Sequence, residues 1–315
     1  MPQTDILITA PLPPLLSEPL LRDYRCHDYN KTGDKPGLLA AEGARIRGLV
    51  QGGGTVTPTT LLDALPKLEI ISVFGVGYDG VPIDYCRKRD IKVTNTPDVL
   101  TEDVADVATA LVLMSARGFI NANRALHAGE WARGASALTM KVSGKKAGIL
   151  GLGRIGKAIA DRLAALGMDV AYTGRSKQDV RYRFVPALKT LAAESDFLIV
   201  ACPGGPATRN IVNADVLAAL GKKGTLVNIA RGSIVDEPAL VAALKAGQLR
   251  GAALDVFADE PNVPPDLMKM DNVVLLPHVG SATQETRQAM GDLCRANLDS
   301  WFAGKGTLTL IPELR

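Results

Sequence analysis

Short runs of apolar residues alternate along the chain with segments whose apolar positions recur at helical spacing. Four such runs in the first hundred residues predict strands: Ile6–Ile8, Gly48–Val50, Glu69–Phe74 and Ile91–Val93. Helices are predicted between them at about 14–24, 58–65 and 82–89. Strands that alternate with helices are typical of a parallel sheet with crossover helices, so an α/β unit is predicted here.

A second alternation begins at Lys145 and continues for about 130 residues. It predicts six strands: Ala147–Leu150, Asp169–Thr173, Phe197–Ala201, Gly224–Ile229, Ala252–Val256 and Val273–Leu276. Six strands is the number in a complete doubly wound nucleotide-binding domain. Between the two alternations a long helix is predicted from about Thr101 to His127, because a capping hydroxyl is followed by two acidic residues.

The last predicted helix runs from Gln284 to about Phe302 and has no obvious place in the second alternation. It is therefore predicted to pack on the first one. The predicted fold class is α/β with two Rossmann-like, doubly wound parallel-sheet domains. Residues 1–98 and 285–315 would form a discontinuous, flavodoxin-like substrate domain, and residues 99–284 a dinucleotide-binding domain. We expect the active site between the two domains.

Composition narrows the class of protein without identifying it. Hydrophobic residues make up 47% of the 315 and charged residues 22%, which is typical of a soluble globular protein. The net charge of +3 is too small and too dispersed to indicate nucleic-acid binding. The longest basic cluster, Arg87–Arg89, is interpreted as the solvated end of a helix.

The cysteines and the N-terminus bear on the compartment. Cys26, Cys86, Cys202 and Cys294 show no Cys-x-x-Cys spacing, so no metal site is expected and reduced thiols in the cytoplasm are the simplest interpretation. No apolar stretch reaches about 18 residues, so no membrane span is expected. No signal peptide is predicted near the N-terminus.

A glycine-rich loop follows the first strand of the second alternation. Its pattern is Gly151-x-Gly153-x-x-Gly156, and a helix is predicted after it from Lys157 to Leu166. The glycines allow a tight turn, a close approach of the backbone to a pyrophosphate, and close packing of helix on strand. The helix N-terminus then offers amide groups to the anion, so the loop predicts a dinucleotide site.

The segment after the next strand bears on the choice of dinucleotide. An NAD site would place an acidic residue there for the ribose 2′-hydroxyl, but none occurs before Asp179. Gly174, Arg175, Ser176 and Lys177 stand there instead, and these groups suit a 2′-phosphate. NADP is therefore predicted, with NAD as the weaker possibility. The alternative is that Arg175 and Lys177 are ordinary surface charges.

Three residues with reactive side chains follow three successive predicted strands. They are Arg231, Glu260 and His278, and the carboxyl edge of the sheet is the usual ligand edge of such folds. A carbonyl that accepts a hydride must be held, polarised and protonated, which an arginine and a carboxylate-backed histidine can do. His27 and His127 are interpreted as structural or surface residues, and a solvated acid is the alternative for Glu260.

At these residues the chain resembles the D-isomer-specific 2-hydroxyacid dehydrogenases over essentially its whole length. Four segments carry the resemblance: Gly151–Gly156, Asn228–Gly232, Asp255–Pro261 and Pro277–Thr283. Within the family, the segments Asn95–Asp106 and Tyr172–Arg175 are most similar to glyoxylate/hydroxypyruvate reductases, which favour NADPH and share a dimerisation arm.

The resemblance implies a role for each site residue. Arg231 would bind the substrate carboxylate and 2-oxo oxygen, His278 would be the general acid, and Glu260 would hold the imidazole. The amide groups of Val76 and Gly77 would also hold the substrate carboxylate. The remaining implied contacts are with the cofactor: Arg154, Ile155, Thr208, Ile229, Ala230, Asp255 and Gly280.

The expected function is therefore NADPH-dependent reduction of a small 2-oxoacid, such as glyoxylate or hydroxypyruvate, to the (R)-2-hydroxyacid. A homodimer is expected through the long helix and the arm around Gly129–Trp131, although Trp131 could instead anchor a local core. Two alternatives stay open. One is a reductase for a bulkier acid such as hydroxyphenylpyruvate, and the other is a non-catalytic, nucleotide-sensing module.

Overall fold

The computed structural model describes residues 3–134 and 137–315. The strands are β1 (Asp5–Ile8), β2 (Arg25–Asp28), β3 (Gly48–Gly52), β4 (Ile70–Phe74), β5 (Lys92–Thr94), β6 (Lys146–Leu150), β7 (Asp169–Thr173), β8 (Arg183–Phe184), β9 (Phe197–Val200), β10 (Thr225–Asn228), β11 (Gly251–Leu254) and β12 (Val273–Leu275). The α-helices are α1 (Pro14–Asp23), α2 (Lys35–Glu42), α3 (Thr59–Asp63), α4 (Ile83–Lys88), α5 (Thr101–Arg117), α6 (Phe119–His127), α7 (Arg154–Ala165), α8 (Leu188–Ala193), α9 (Ala214–Leu220), α10 (Glu237–Lys245), α11 (Pro265–Met268) and α12 (Gln284–Phe302).

The chain forms two compact units. Unit 1 comprises residues 1–100 and 283–315, and unit 2 comprises residues 101–282. Each unit is built on a parallel sheet with its own buried apolar core, which establishes the predicted fold class.

Unit 1 contains a five-stranded sheet in the order β2-β1-β3-β4-β5. This is the flavodoxin-like order, in which the chain reverses direction across the sheet between β1 and β3. Helix α12 packs against β4 and α1, and the Ser72 hydroxyl of β4 donates a hydrogen bond of 2.9 Å to the Cys294 carbonyl of α12. The C-terminal segment is thus a structural part of this unit.

Unit 2 contains a seven-stranded sheet in the order β12-β11-β10-β9-β6-β7-β8. The six strands β6 to β11 follow the order of a dinucleotide-binding sheet. The chain reverses its direction across the sheet between β6 and β9. The loops after β6 and β9 therefore diverge at the carboxyl edge and leave a crevice there. Helix α7, which follows β6, packs against α5.

The structure corrects several details of the predicted elements. The first sheet has five strands, because the edge strand β2 adds to the four predicted. The second sheet has seven strands, because the short β8 adds to the six predicted. The single helix predicted from Thr101 to His127 breaks at Gly118, whose φ of 60° lies in the left-handed region that interrupts an α-helix. The helix after the glycine-rich loop begins at Arg154 rather than Lys157.

Side-chain caps mark the starts of several helices. The carboxylate of Asp34 accepts from the Gly37 amide, and that of Asp236 accepts from the Ala239 amide. Thr283 caps α12 in the same way, through the Thr286 amide. Such caps satisfy amide groups that have no partner within the helix. None of the helices in the described ranges combines the length and apolar character needed to cross a bilayer.

Candidate active site

The glycine-rich loop of unit 2 lies at the reversal point of its sheet. A side chain on Gly151, whose φ is 96°, would come within 2.7 Å of the Cys202 backbone after β9. A side chain on Gly156 would lie 2.1 Å from the Gly151 carbonyl oxygen, so this glycine lets α7 pack against the loop. A side chain on Gly153 would meet no atom within 4 Å, so this part of the loop faces open space.

The start of α7 is suited to an anion. The N-cap residue of α7 is Gly153, which has no side chain to cap the helix, and the first residues of any α-helix carry amide groups without intrahelical partners. Arg154 is exposed at this end, and Ile155 is partly buried beside it. An open glycine next to an uncapped helix N-terminus fits the pyrophosphate of a dinucleotide.

The four residues Gly174–Lys177 follow β7 and are all exposed. Within the described part of the chain, the side chains of Arg175, Ser176 and Lys177 form no hydrogen bond or ion pair. Gly174 faces open space. Two unpaired cations and a hydroxyl on one exposed loop are a suitable set of donors for a phosphate dianion.

Arg231 lies in a turn directly after β10. The side chain of Asn228 holds this turn at both ends, since its oxygen accepts from the Ala230 amide at 3.1 Å and its nitrogen donates to the Arg231 carbonyl at 2.9 Å. The Arg231 guanidinium donates to the Ala230 carbonyl at 2.8 Å. Gly232 follows, and a side chain there would lie 1.9 Å from the Phe257 carbonyl carbon. The turn that contains Arg231 therefore packs closely against the loop after β11.

Glu260 and His278 form a direct pair. The distance between His278 Nδ1 and Glu260 Oε2 is 2.7 Å, and the second carboxylate oxygen accepts from the Phe257 amide at 3.0 Å. Burial acts to raise the pKa of Glu260, but the hydrogen bonds from His278 and Phe257 and the charges of His278 and Arg231 together lower it below its ordinary value.

This pair sets the proton positions on the imidazole. An ionised Glu260 can only accept, so Nδ1 carries a hydrogen and the second proton binds at Nε2. Within the described residues, Nε2 has no hydrogen-bond partner, and 43% of the His278 side chain is exposed. His278 can therefore give or take a proton at Nε2 while Glu260 keeps the ring in place.

Asp255, directly after β11, holds the backbone that follows His278. Its two carboxylate oxygens accept from the Val279 and Gly280 amides, both at 2.8 Å. The side chain is almost completely buried, and burial raises the pKa of this carboxyl above its ordinary value despite these two bonds. The Gly280 amide thus donates to Asp255, so the Gly280 carbonyl is the backbone group that can contact a cofactor.

Two further cofactor candidates also contribute to the edge of the sheet. Ile229 is buried after β10, and its amide donates to the Val200 carbonyl of β9. The Thr208 hydroxyl donates to the Pro203 carbonyl at 2.7 Å and closes the loop after β9. That hydroxyl oxygen can still accept a hydrogen bond.

In unit 1, the residues Gly75–Gly77 follow β4. The Gly75 carbonyl accepts from the Thr96 amide, and the Val76 carbonyl accepts from the Asn95 side chain at 2.9 Å. These two bonds fix the loop. Within the described residues, the amide groups of Val76 and Gly77 have no hydrogen-bond acceptor, which leaves two adjacent donors suited to a carboxylate.

The family model for the NAD-binding domain of D-isomer specific 2-hydroxyacid dehydrogenases matches residues 109–280 of this chain. The chain belongs to the D-isomer-specific 2-hydroxyacid dehydrogenase family. The family predicted from the sequence motifs is therefore confirmed, and the chain is an oxidoreductase with a dinucleotide-binding domain.

Similar dehydrogenases match nearly the whole chain. Glyoxylate/hydroxypyruvate reductase A of Arabidopsis thaliana is 46% identical over 98% of this chain and 99% of that protein. Hydroxyphenylpyruvate reductase of Plectranthus scutellarioides is 45% identical over 96% of this chain and 97% of that protein. The NADPH-dependent glyoxylate/hydroxypyruvate reductase of Sinorhizobium meliloti, solved with NADP and malonate, has a TM-score of 0.94 and 44% identity, covering 99% of this chain and 98% of that one.

The sequence motifs missed several residues that hold the dehydrogenase site together. Asn228 and Gly232 lie inside the segment Asn228–Gly232 that carries the family resemblance, yet the sequence alone assigns neither of them a role. An asparagine at the end of a strand is a known turn signal and could have indicated the first. Gln178, whose side chain contacts the glycine-rich loop, had no signal in the sequence.

One cluster in unit 1 has the spacing of a metal site. The potential ligand atoms of Asp5, His27 and Glu42 lie within 4.8 Å of one another. The Arg45 guanidinium, however, forms ion pairs with Glu42 and, at 3.9 Å, with Asp5, and the Asp5 carboxylate is 2.7 Å from His27 Nε2. A guanidinium of the protein thus already pairs with both carboxylates, and Asp5 is a structural partner of His27.

Proposed function

We propose that this dehydrogenase reduces glyoxylate and hydroxypyruvate with NADPH. The reaction is 2-oxoacid + NADPH + H⁺ to (R)-2-hydroxyacid + NADP⁺. The observation that carries the proposal is the Glu260–His278 pair, in which a fixed imidazole keeps Nε2 available. The exposed donors of Arg175–Lys177 and the NADPH-dependent relative support the choice of cofactor.

The cofactor supplies the hydride, and the protein residues bind, polarise and protonate the substrate. Arg231 binds the substrate carboxylate and the 2-oxo oxygen, and the charge that develops on that oxygen is stabilised by the guanidinium. His278 gives its Nε2 proton to the same oxygen, and the Glu260 carboxylate stabilises the imidazolium before transfer. A positioned acid of this kind typically contributes about 10²–10⁴-fold to the rate.

The proposed binding residues follow from their local geometry. Gly151, Gly153, Arg154, Ile155 and Gly156 hold the pyrophosphate. The remaining cofactor ligands that we propose are Gly174, Arg175, Ser176, Lys177, Thr208, Ile229, Ala230, Asp255 and Gly280. The paired amide groups of Val76 and Gly77 in unit 1 are proposed as ligands of the substrate carboxylate. Accordingly, residues 1–100 and 283–315 are proposed as the substrate domain.

We also propose that the protein is a cytoplasmic homodimer. In the described part of the chain, five of the nine most exposed large apolar side chains lie between residues 119 and 138: Phe119, Ile120, Leu126, Trp131 and Leu138. Helix α6 has no buried residue of its own. An exposed apolar segment of this kind is suited to pairing with a second copy. The cytoplasmic assignment rests on the cysteines, all of which are free thiols.

A reductase for hydroxyphenylpyruvate is the second candidate, supported by the 45% identical relative of that name. Steady-state rates followed by nicotinamide absorbance separate the two candidates. We would test NADPH and NADH, each against glyoxylate, hydroxypyruvate, pyruvate and hydroxyphenylpyruvate. The highest kcat/KM for glyoxylate or hydroxypyruvate with NADPH is expected. Turnover of none of these acids, with NADPH binding retained, would instead favour a nucleotide-sensing module.

A further inference from the structure

The exposed segment Gly174–Lys177 is closed at its base by a buried tyrosine. Tyr172 lies in β7 with no exposed surface, and its ring packs against that of Phe184 at a centroid distance of 5.3 Å. Its hydroxyl oxygen accepts from the Gln178 amide at 2.7 Å. The chain thus leaves β7 after Thr173 and returns to the same strand at Gln178.

The side chain of Gln178 connects this segment to the glycine-rich loop. Its Nε2 donates to the Leu152 carbonyl at 2.8 Å, and Leu152 lies between Gly151 and Gly153. A second tie runs through the backbone, where the Gly151 amide donates to the Thr173 carbonyl at 2.9 Å. The Leu152 side chain is buried, and this anchors the backbone carbonyl that Gln178 contacts.

These contacts define where the free donors of the segment lie. The side chains of Arg175, Ser176 and Lys177 have no partner within the described residues, so their own contacts do not position them. The position of the segment depends on its two ends, and Gln178 is the end that touches the glycine-rich loop. The pyrophosphate and the 2′-phosphate of one cofactor must reach both loops together.

We propose that Gln178 is a positioning residue that sets the preference for NADPH over NADH. It holds the segment Gly174–Lys177 at a fixed distance from the glycine-rich loop. Both phosphate sites are therefore correctly spaced before NADPH binds. This inference rests on the proposed NADPH specificity. Without the tie, the segment must be ordered when NADPH binds, which weakens binding. NADH has no 2′-phosphate and does not use the segment, so its binding is insensitive to the loss.

The test is Gln178→Met, which keeps the length of the side chain and removes its donor. We expect kcat/KM for NADPH to fall about fivefold through KM, which is the effect of roughly one net hydrogen bond. The kcat with NADPH and both constants for NADH are expected to stay within about twofold. Gln248→Met is the matched control, because Gln248 is exposed in the same unit and its side chain has no hydrogen bond in the described structure. Tyr172→Phe, which removes the other contact, is expected to give the same selective loss.

Equal losses with NADPH and NADH would identify Gln178 as a merely structural residue and overturn the proposal, and so would an unchanged preference. Binding of adenosine 2′,5′-bisphosphate and adenosine 5′-monophosphate, measured by calorimetry, separates this failure from that of the proposed cofactor. If the unaltered protein binds the bisphosphate and the monophosphate equally, the proposed NADP specificity is wrong. The inference about Gln178 is then wrong as well. If it prefers the bisphosphate and Gln178→Met retains that preference, only the role of Gln178 fails.

Discussion

His278 occupies a backbone conformation that residues with side chains seldom adopt. Its φ is 53°, and the left-handed region costs such residues about 1–2 kcal/mol. Asp255 binds the two amide groups that follow, and Glu260 binds the ring. Two carboxylates thus hold the strained backbone and the imidazole, which orients the ring more strictly than one hydrogen bond could.

Replacing the imidazole tests its assigned chemistry. For His278→Ala we expect kcat to fall at least about a hundredfold, because the positioned acid is lost, with NADPH affinity little changed. Steady-state kinetics and a fluorescence titration of NADPH would measure the two quantities. His127→Ala is the control, since that histidine is exposed on α6. A His278→Ala variant with the original kcat would remove His278 from the mechanism.

The lowered pKa of Glu260 predicts how its contribution to stability depends on pH. Because the pKa in the folded protein lies below its ordinary value of 4.5, the stabilisation is present above that pH and is lost as the pH falls through the lower, folded value. Glu260→Gln lacks this dependence. The difference in unfolding free energy between the original protein and Glu260→Gln should therefore shrink from about pH 5 towards pH 3. Urea titrations across this range would measure it, and a constant difference contradicts the prediction.

At the scale of elements, the sequence pattern predicts the central strands and two of the four edge strands, β5 and β12, but not the other two. Strands buried on both faces appear as largely apolar runs: β9 is apolar throughout, and β4 contains one polar residue, Ser72. The edge strands β2 and β8 were missed because their residues, Arg25–Asp28 and Arg183–Phe184, are polar or only partly buried. The break at Gly118 was missed because apolar spacing continues across it, whereas the turn depends on a positive φ.

The site shows the same division between reactive groups and their supports. Arg231, Glu260 and His278 could be singled out, since each has a reactive side chain and follows a predicted strand. The contacts of Asn228 with its own turn span only two and three residues, so a strand-end asparagine is a local signal for them. The contact of Gln178 with Leu152 depends instead on how two separate loops come together in space. A contact of this second kind has no fixed spacing along the chain, so no sequence pattern could have predicted it.

The close packing of two loops gives a test at this scale. Gly232→Ala places a methyl group 1.9 Å from the Phe257 carbonyl carbon, so the loops after β10 and β11 must separate. We expect the unfolding free energy to fall by about 1–3 kcal/mol, as for other overpacked sites. Activity should fall as well, because the Phe257 amide supports Glu260. Gly33→Ala, at a glycine with open space around it, is the control for denaturant unfolding and kinetics. Equal stability of the two variants would contradict the packing argument.

For the whole molecule, the uneven distribution of exposed apolar side chains predicts a contact with a second copy. Leu126 on α6 is 57% exposed and Met268 on α11 is 60% exposed, but only Leu126 lies in the 119–138 segment. Leu126→Glu should therefore shift the protein from dimer to monomer in sedimentation velocity, because it places a charge in the proposed interface. Met268→Glu should remain dimeric. A monomeric unaltered protein, or a dimeric Leu126→Glu variant, would contradict the proposal that the 119–138 segment is the interface.

The division of unit 1 between the two ends of the chain has a consequence for how the protein is made. Residues 1–100 leave the ribosome first, but α12, which covers β4, comes from residues 284–302. At about 5–20 residues per second, the emerging sheet waits roughly 10–40 s for its cover. Unit 2, by contrast, is contiguous and can fold as soon as it has been synthesised. A nascent chain therefore carries a finished nucleotide-binding domain tethered to an uncovered apolar sheet, which is the form most in need of a chaperone.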